Sequence, residues 1–304
     1  MNKKFAVSVF CFIDVFLSVS CTNTKDLKNE INKCTWYYNA MDYDDLSEYS
    51  SGDSQVIAFV DSGISPLLEK EYGDRVLYKY NVVDNSENVN DDDTHGTKMV
   101  SIACSNGSYG VYGLASESKI LIYKVTDEHG KTKADYLSKA INDAVVHNAT
   151  IINVSIGGYK NDKQIESAVN YALNNGVTVV AASGDYGDKD LLYPAKYTGV
   201  ISIQGLDQNF DLWQGSNHED TAINTFPCEN IYAIDINKNG ELFKSNSTGT
   251  SQAAAIASSY IALIKDYYLD TYKKEISNDE LIELLKSIDT FKGSSKEYTK
   301  LFCN

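Results

Sequence analysis

Three short peptides carry residue types that can act together as a proton relay: Asp61-Ser62-Gly63, His95-Gly96-Thr97 and Gly249-Thr250-Ser251. A serine hydroxyl is a poor nucleophile until a neutral imidazole takes its proton, and a carboxylate must hold that imidazole in the right tautomer. Asp, then His, then Ser is one of the chain orders in which this chemistry recurs on unrelated folds. Alone, each tripeptide is no more than a turn. In this order they nominate Asp61 as the orienting carboxylate, His95 as general base and acid, and Ser251 as nucleophile.

The elements that must position these residues are legible as patterns. Val56–Val60, Lys119–Val125, Thr150–Ser155, Val177–Ala182 and Val200–Gln204 are short, apolar, β-branched runs of the kind that form buried parallel strands. Helical patterns at His95–Cys104, Ala134–His147 and Lys163–Asn175 alternate with them, which predicts a parallel α/β sheet covered on both faces. Asp61 then falls at the carboxyl end of a strand, where sites of open α/β sheets gather. Asn239-Gly240 predicts an antiparallel hairpin. A long apolar helix is expected from Ser251 to about Tyr268, and a last one capped at Ser277 with Glu280 completing a capping box.

The phrases around the three peptides extend the pattern. Val56–Gly63, Gly110-Val111-Tyr112-Gly113-Leu114-Ala115, Ile151–Gly158, Tyr193-Pro194-Ala195-Lys196-Tyr197 and Gly249–Ala254 resemble, in order and spacing, the subtilisin-like serine proteases (subtilases). The resemblance runs from about Gln55 to about Lys265. It implies an α/β, three-layer fold with a mainly parallel central sheet flanked by helices, and serine endopeptidase activity. It also implies that Ser155, Ile156 and Gly157 pair with substrate backbone as an added strand, a sequence-tolerant mode of recognition. Leu192 would lie near the floor of the primary specificity pocket, where it suits small or apolar side chains or partly fills the space. Asp188 and Asp190 in the adjoining loop would either favour a basic residue or serve solvation alone.

One residue departs from the family where it matters most. Subtilases carry an Asn whose amide donates to the oxyanion of the tetrahedral intermediate; here Ala181-Ala182-Ser183-Gly184-Asp185 places Asp185 at that point, and Tyr193-Pro194-Ala195 resumes the family pattern without a gap. An ionised carboxylate has no proton to give, and losing one such donor costs about 10²–10³ in turnover. Three expectations follow. Asp185 stays protonated through burial and donates, giving a slow or acid-favouring enzyme; it points elsewhere and leaves the Ser251 N–H as main donor; or the chain binds peptides without cutting them. Lys98 stands where many subtilases have a second His, and a solvated face is expected there. Asp91-Asp92-Asp93 is either a solvated loop, a cation site or a selector for basic residues, and would raise the pKa of His95 if close to it. The loop Ser105–Tyr109 replaces a family calcium loop but is one residue short and carries no carboxylate, so no cofactor or metal is expected and calcium stays open.

Composition bounds the remainder. With 304 residues, 43% of them hydrophobic, the chain can bury one large core. A formal charge of −15 argues against a nucleic-acid partner and suits either a cationic peptide substrate or simply a soluble acidic enzyme. A monomer is expected. Lys3-Lys4 before the apolar run Phe5–Val19 fits a secretory signal. The division expected is 1–20 signal, 21–52 a short N-terminal segment and 53–304 the peptidase domain. Leu17-Ser18-Val19-Ser20-Cys21 faintly resembles a lipobox, so the exported protein is either secreted or lipid-anchored to the outer face of the membrane through Cys21. Cys34, Cys104, Cys228 and Cys303 allow three pairings, Cys34–Cys303 among them. The short stretch between Cys21 and Asp53, and the lack of a carboxyl-terminal accessory domain, resemble the leader peptidases that trim lantibiotic precursors. A scavenging protease and an inactive, subtilase-like peptide-binding protein are the competing readings.

Overall fold

The computed structural model describes residues 35–219, 224–288 and 296–302. The expected signal, Cys21 and the Cys34–Cys303 pairing lie outside them. Strands β1 (Val56–Asp61), β2 (Val76–Asn81), β3 (Lys119–Lys124), β4 (Ile151–Val154), β5 (Thr178–Ala182), β6 (Ile201–Leu206) and β7 (Thr225–Pro227) form one sheet in the order β2-β3-β1-β4-β5-β6-β7. Each neighbouring pair is parallel. Strands β8 (Ile231–Ile236) and β9 (Leu242–Ser247) make the antiparallel hairpin expected at Asn239-Gly240.

Continuous apolar runs were required because both faces of the sheet are buried. Alternate side chains of one strand enter two different cores. Ile57 and Phe59, with Ile120, Ile122, Ile151 and Val180, pack under the His95–Cys104 and Thr250–Tyr272 helices. Ala58 and Val60, with Leu121, Ile152, Val154 and Val179, pack under the Ala134–Val146 and Lys163–Asn174 helices. Burying one such side chain is worth about 1.5–3 kcal/mol, so the two apolar layers dominate the stability of the fold. The three-layer α/β architecture expected from the pattern is the one observed.

The last long helix, Asn278–Lys286, has the full capping box: the Ser277 hydroxyl accepts from Glu280 N–H and the Glu280 carboxylate accepts from Ser277 N–H. Residues 35–41 and Tyr43–Tyr49, assigned from sequence to a segment preceding the folded unit, are helical and pack into the first core through Tyr37, Met41 and Leu46. The Trp36 indole N–H donates to the Glu229 carbonyl (2.8 Å), and the Tyr38 hydroxyl accepts from Tyr112 N–H (3.0 Å). Packing therefore begins well before residue 53.

Candidate active site

Asp61 ends β1 and is 1% exposed. Its Oδ1 lies 2.8 Å from His95 Nδ1 and accepts from Ser62 N–H (2.7 Å). His95 opens a helix whose first N–H groups have no intrahelical partners. Gly96 N–H donates to Ser62 Oγ (2.8 Å) and Thr97 N–H to Asp91 Oδ2 (2.7 Å), so the loop after Asp61 and the loop before His95 are sewn to one helix end. Asp91 is the node. Its Oδ1 accepts from Ser62 Oγ (2.8 Å) and Thr94 N–H (2.8 Å), and its Oδ2 also accepts from Thr97 Oγ1 (2.6 Å).

Beneath it, the buried Lys124, register partner of Asp61 across β3 and β1, donates to Ser62 O (3.2 Å), Asn90 O (2.6 Å) and Asp92 Oδ2 (2.8 Å). The acidic run is solvated only in part: Asp92 and Asp93 are exposed, Asp91 is not. Asp91 is a buried cap, Asp92 pairs with Lys124, and Asp93 acts on His95 through its charge. Burial lowers the His95 pKa, but the charge of Asp61, its hydrogen bond, and the charges of Asp93 and Asp91 together outweigh it and raise the value to about 9.

Ser251 sits in the first turn of the Thr250–Tyr272 helix. Val60 pairs with Val154 on two central strands, so Asp61 and Ser155 are neighbouring positions at the carboxyl-terminal edge of the sheet, and the Ser251 hydroxyl donates to the Ser155 carbonyl (3.3 Å). The structure thus brings Ser251 to the edge that holds Asp61 and His95, with its hydroxyl turned toward Ser155. Catalytic hydrogen bonds often close only when substrate is bound.

Asp185 does not stand ready to donate. Its Oδ1 accepts from Thr250 N–H (2.8 Å) and Thr250 Oγ1 (2.7 Å), and Gly184 N–H donates to the same threonine hydroxyl (3.2 Å). The residue is exposed, so the burial that the protonated-donor expectation needs is missing. Gly249, the helix N-cap, has no side chain to cap with, and Asp185 supplies the cap from another loop. That leaves the Ser251 N–H, one residue further in, as the free donor at the helix end.

Ser155, Ile156 and Gly157 leave the sheet after β4 as an open edge, and Gly158 bridges back to Tyr193 (2.8 and 3.0 Å). Gly184 forms the opposite wall, at φ +120°. Leu192 stands between them: a Cβ on Gly184 would fall 2.8 Å from Leu192 Cγ, and one on Gly157 would fall 3.1 Å from Leu192 Cβ. Only glycines let the walls approach so closely, and the apolar side chain of Leu192 fills the space between them.

The sequence profile of the subtilase family matches residues 52–289. The chain belongs to the subtilase family. The major intracellular serine protease of Bacillus subtilis (strain 168) is 35% identical over 205 residues, covering 65% of this chain and 63% of that protein. Subtilisin BL of Lederbergia lenta is 28% identical over 82% of this chain and 88% of its own length. The solved structure of prenylagaramide maturation protease PagA superimposes with a TM-score of 0.68 over 85% of this chain and 97% of that one, a likeness of fold at 22% identity. The chain spans less than two thirds of the length of the B. subtilis protease.

Within this subtilase, Asp188 and Asp190 are engaged rather than free: Tyr159 OH donates to Asp188, and Asp190 pairs with Lys196. Lys98, expected on a solvated face, pairs with Asp235 (3.1 Å) and ties the His95 helix to the β8 strand. Among the described residues no group of three or more His, Cys, Asp or Glu is placed to hold a metal. In the Ser105–Tyr109 loop, the Ser108 hydroxyl donates to Glu71 and Asn106. Cys104 and Cys228 are buried free thiols, and burial pushes the Cys104 thiol up to about 12, away from thiolate chemistry.

Sequence reasoning missed three supporting groups. Asp91 lies three residues before the N-cap Thr94, outside the helix, where no capping pattern marks it. The wholly buried Asn153 links Ser155 Oγ (3.1 Å) to Ser258 Oγ (3.0 Å), and thereby β4 to the nucleophile helix. The wholly buried Asn217 holds the Tyr186 N–H (2.8 Å) and the Asp190 carbonyl (2.8 Å). Neither Asn had a local signal.

Proposed function

We propose that this subtilase is a serine endopeptidase acting through Asp61, His95 and Ser251. The observation that carries the reading is the 2.8 Å Asp61–His95 bond at the sheet edge where Ser251 also sits. With a peptide laid along Ser155–Gly157, rotation of the Ser251 side chain takes its hydroxyl from the Ser155 carbonyl to His95 Nε2. His95 accepts the proton as Oγ bonds to the scissile carbonyl carbon. Asp61 holds the Nδ1–H tautomer and stabilises the imidazolium. The Ser251 N–H faces the oxyanion, and the imidazolium then gives its proton to the leaving amine. Acyl-enzyme hydrolysis repeats the cycle with water.

Asp185 is a cap in this scheme, not an oxyanion donor. One fewer donor makes the enzyme slow, and the charges around His95 make it favour alkaline rather than acid pH. Leu192, packed between Gly157 and Gly184, leaves little room for a substrate side chain, which supports selective processing over broad digestion, in keeping with removal of a leader peptide. Lys3-Lys4 and the apolar run after them support export, by secretion or by anchoring at Cys21. Among the described residues no helix is long and apolar enough to cross a membrane.

One observation favours a second reading, a peptide-binding subtilase without turnover: the Ser251 hydroxyl rests on Ser155 while Asp185 occupies the helix end. Fluorophosphonate labelling between about pH 5 and about pH 10, with Ser251→Ala as control, separates the two. Labelling that vanishes in the control supports the protease. Folded protein that never labels supports the binding protein.

A further inference from the structure

His95 follows a residue in an unfavourable conformation. Thr94, the N-cap of the His95–Cys104 helix, has φ +66° and ψ −5°. Among the described non-glycine residues with positive φ it is the only β-branched one, and branching at Cβ makes the left-handed region costly. Such a residue persists only where its surroundings hold it. What holds Thr94 therefore also sets where the helix begins and where the next side chain, the imidazole, points.

Two carboxylates flank Thr94. Asp91 Oδ1 accepts from its N–H (2.8 Å) and belongs to the loop already tied to this helix end. Asp235 comes from β8, far along the chain. Its carboxylate interacts with the Thr94 side chain, accepts from Ile236 N–H (2.8 Å) and pairs with Lys98 (3.1 Å). Burial raises the Asp235 pKa, but the bonds from Ile236 N–H, Lys98 and Thr94 and the charge of Lys98 outweigh it and hold the carboxyl below its usual range. The Thr94 hydroxyl makes no capping bond to its own helix, so its partner is on β8 instead.

Strand β8 is in turn fixed to the same helix. Ser101 Oγ accepts from Ile234 N–H (2.9 Å) and donates to the Lys98 carbonyl (2.8 Å), and both Ser101 and Ile234 are wholly buried. A shift of β8 would strand a buried donor, which is costly. The Lys98 and Asp235 side chains are themselves only 21% and 15% exposed, unlike the solvated pairs that contribute little.

We propose that Asp235, steadied by Lys98, is a positioning residue for His95: it holds Thr94 in its left-handed conformation and so aims the imidazole at the cleft. This rests on the reading of His95 as the general base.

The test is the rate of fluorophosphonate labelling of Ser251 at about pH 10. The other charges around His95 are Asp61, Asp91, Asp93 and the Asp92–Lys124 pair, and together they raise its pKa to about 9. At about pH 10 the imidazole is therefore largely neutral, and the rate reads position rather than protonation. Asp235→Ala should slow labelling roughly tenfold, whereas Asp235→Asn keeps an acceptor oxygen for Thr94 and should stay within about twofold of wild type. Thr94→Asn, which enters the left-handed region readily, should restore most of the rate to the Asp235→Ala protein. Lys98→Met leaves the carboxylate unanchored and should lose about threefold, restored in the same way; it carries the test if Asp235→Ala does not fold by circular dichroism. No loss, an equal loss in Asp235→Ala and Asp235→Asn, or a loss that Thr94→Asn leaves untouched makes the pair a stabilising contact only and overturns the proposal. The downfield proton resonance of His95 Nδ1–H, followed in Ser251→Ala protein, needs no turnover. It should move in Asp235→Ala and return with Thr94→Asn. That pattern in a protein that never labels removes the protease reading and keeps the positioning role; labelling with rate and resonance unmoved by Asp235→Ala does the reverse.

Discussion

The two sides of the cleft are built differently. On the Asp61–His95 side, Asp61, Ser62 and Asp91 are buried, and Ser62 and Asp91 together tie two loops to one helix end. On the Ser155–Asp185 side, the backbone edge and the carboxylates face solvent, and the anchors sit one layer down in Asn153 and Asn217. Proton transfer needs groups fixed to fractions of an ångström; the buried hydrogen bonds to Asp61 Oδ1 provide this, while Asp61 Oδ2 is buried without a partner. Peptide capture needs unsatisfied backbone and exposed side chains that only the substrate completes.

Ser251→Ala tests whether the buried side has a reaction to serve. Turnover and labelling should fall by about 10⁶ with the fold unchanged by circular dichroism; residual labelling would place the nucleophile elsewhere. Asp91→Ala should be the most damaging change that touches no reacting atom. It strands Thr94 N–H, Thr97 N–H and Ser62 Oγ, and should cost about 3 kcal/mol in denaturant unfolding together with most of the labelling rate. An unchanged unfolding midpoint would mean that the node is not one.

The pH profile sharpens the contrast. Because His95 must be neutral to act as base and its pKa is raised to about 9, kcat/KM should climb through neutral pH and level off above about 9. Stability runs the other way. The raised value means that the Asp61–His95 pair contributes fully below about pH 6.5, the ordinary His value, and that this contribution is lost as pH rises through about 9. Asp93→Asn should move both inflections lower by roughly half a pH unit. An activity optimum on the acid side contradicts the whole assignment.

On the open side the effects should be smaller. Asp185→Ala removes the cap of the nucleophile helix and should cost about 1 kcal/mol of stability and roughly tenfold in labelling rate, whereas Asp185→Asn keeps an acceptor oxygen for Thr250 and should hold its stability. Equal stability losses in both variants would show that the acceptor is irrelevant. Leu192→Ala should open space between Gly157 and Gly184 and shift preference toward longer apolar side chains by a few fold, measured with a peptide series.

Much of the fold is legible in local sequence patterns. The His95–Cys104 helix has the limits expected, the five strands read from apolar runs are all present, and Ser277 with Glu280 forms the capping box. Strands β2 and β7 escaped: β2 is an edge strand with partly exposed residues and a register shift, and β7 is three residues long, so neither offers a continuous apolar run. Residues 35–49 escaped because their buried Tyr37, Met41 and Leu46 are interleaved with polar residues and join a core made mostly by distant elements.

Asp185 marks the divide. The chain by itself determined the residue types at Asp61, His95 and Ser251, their order, and the strands and helix ends that present them, because periodicity and capping are local properties of a few neighbouring residues. That Asp185 turns to Thr250, that Asp91 is buried, that Lys98 finds Asp235 and that Leu192 fills the space between Gly157 and Gly184 was decided only in the folded molecule. Each depends on a partner many residues away, and the orientation of a polar side chain follows the donors that folding brings within about 3 Å of it.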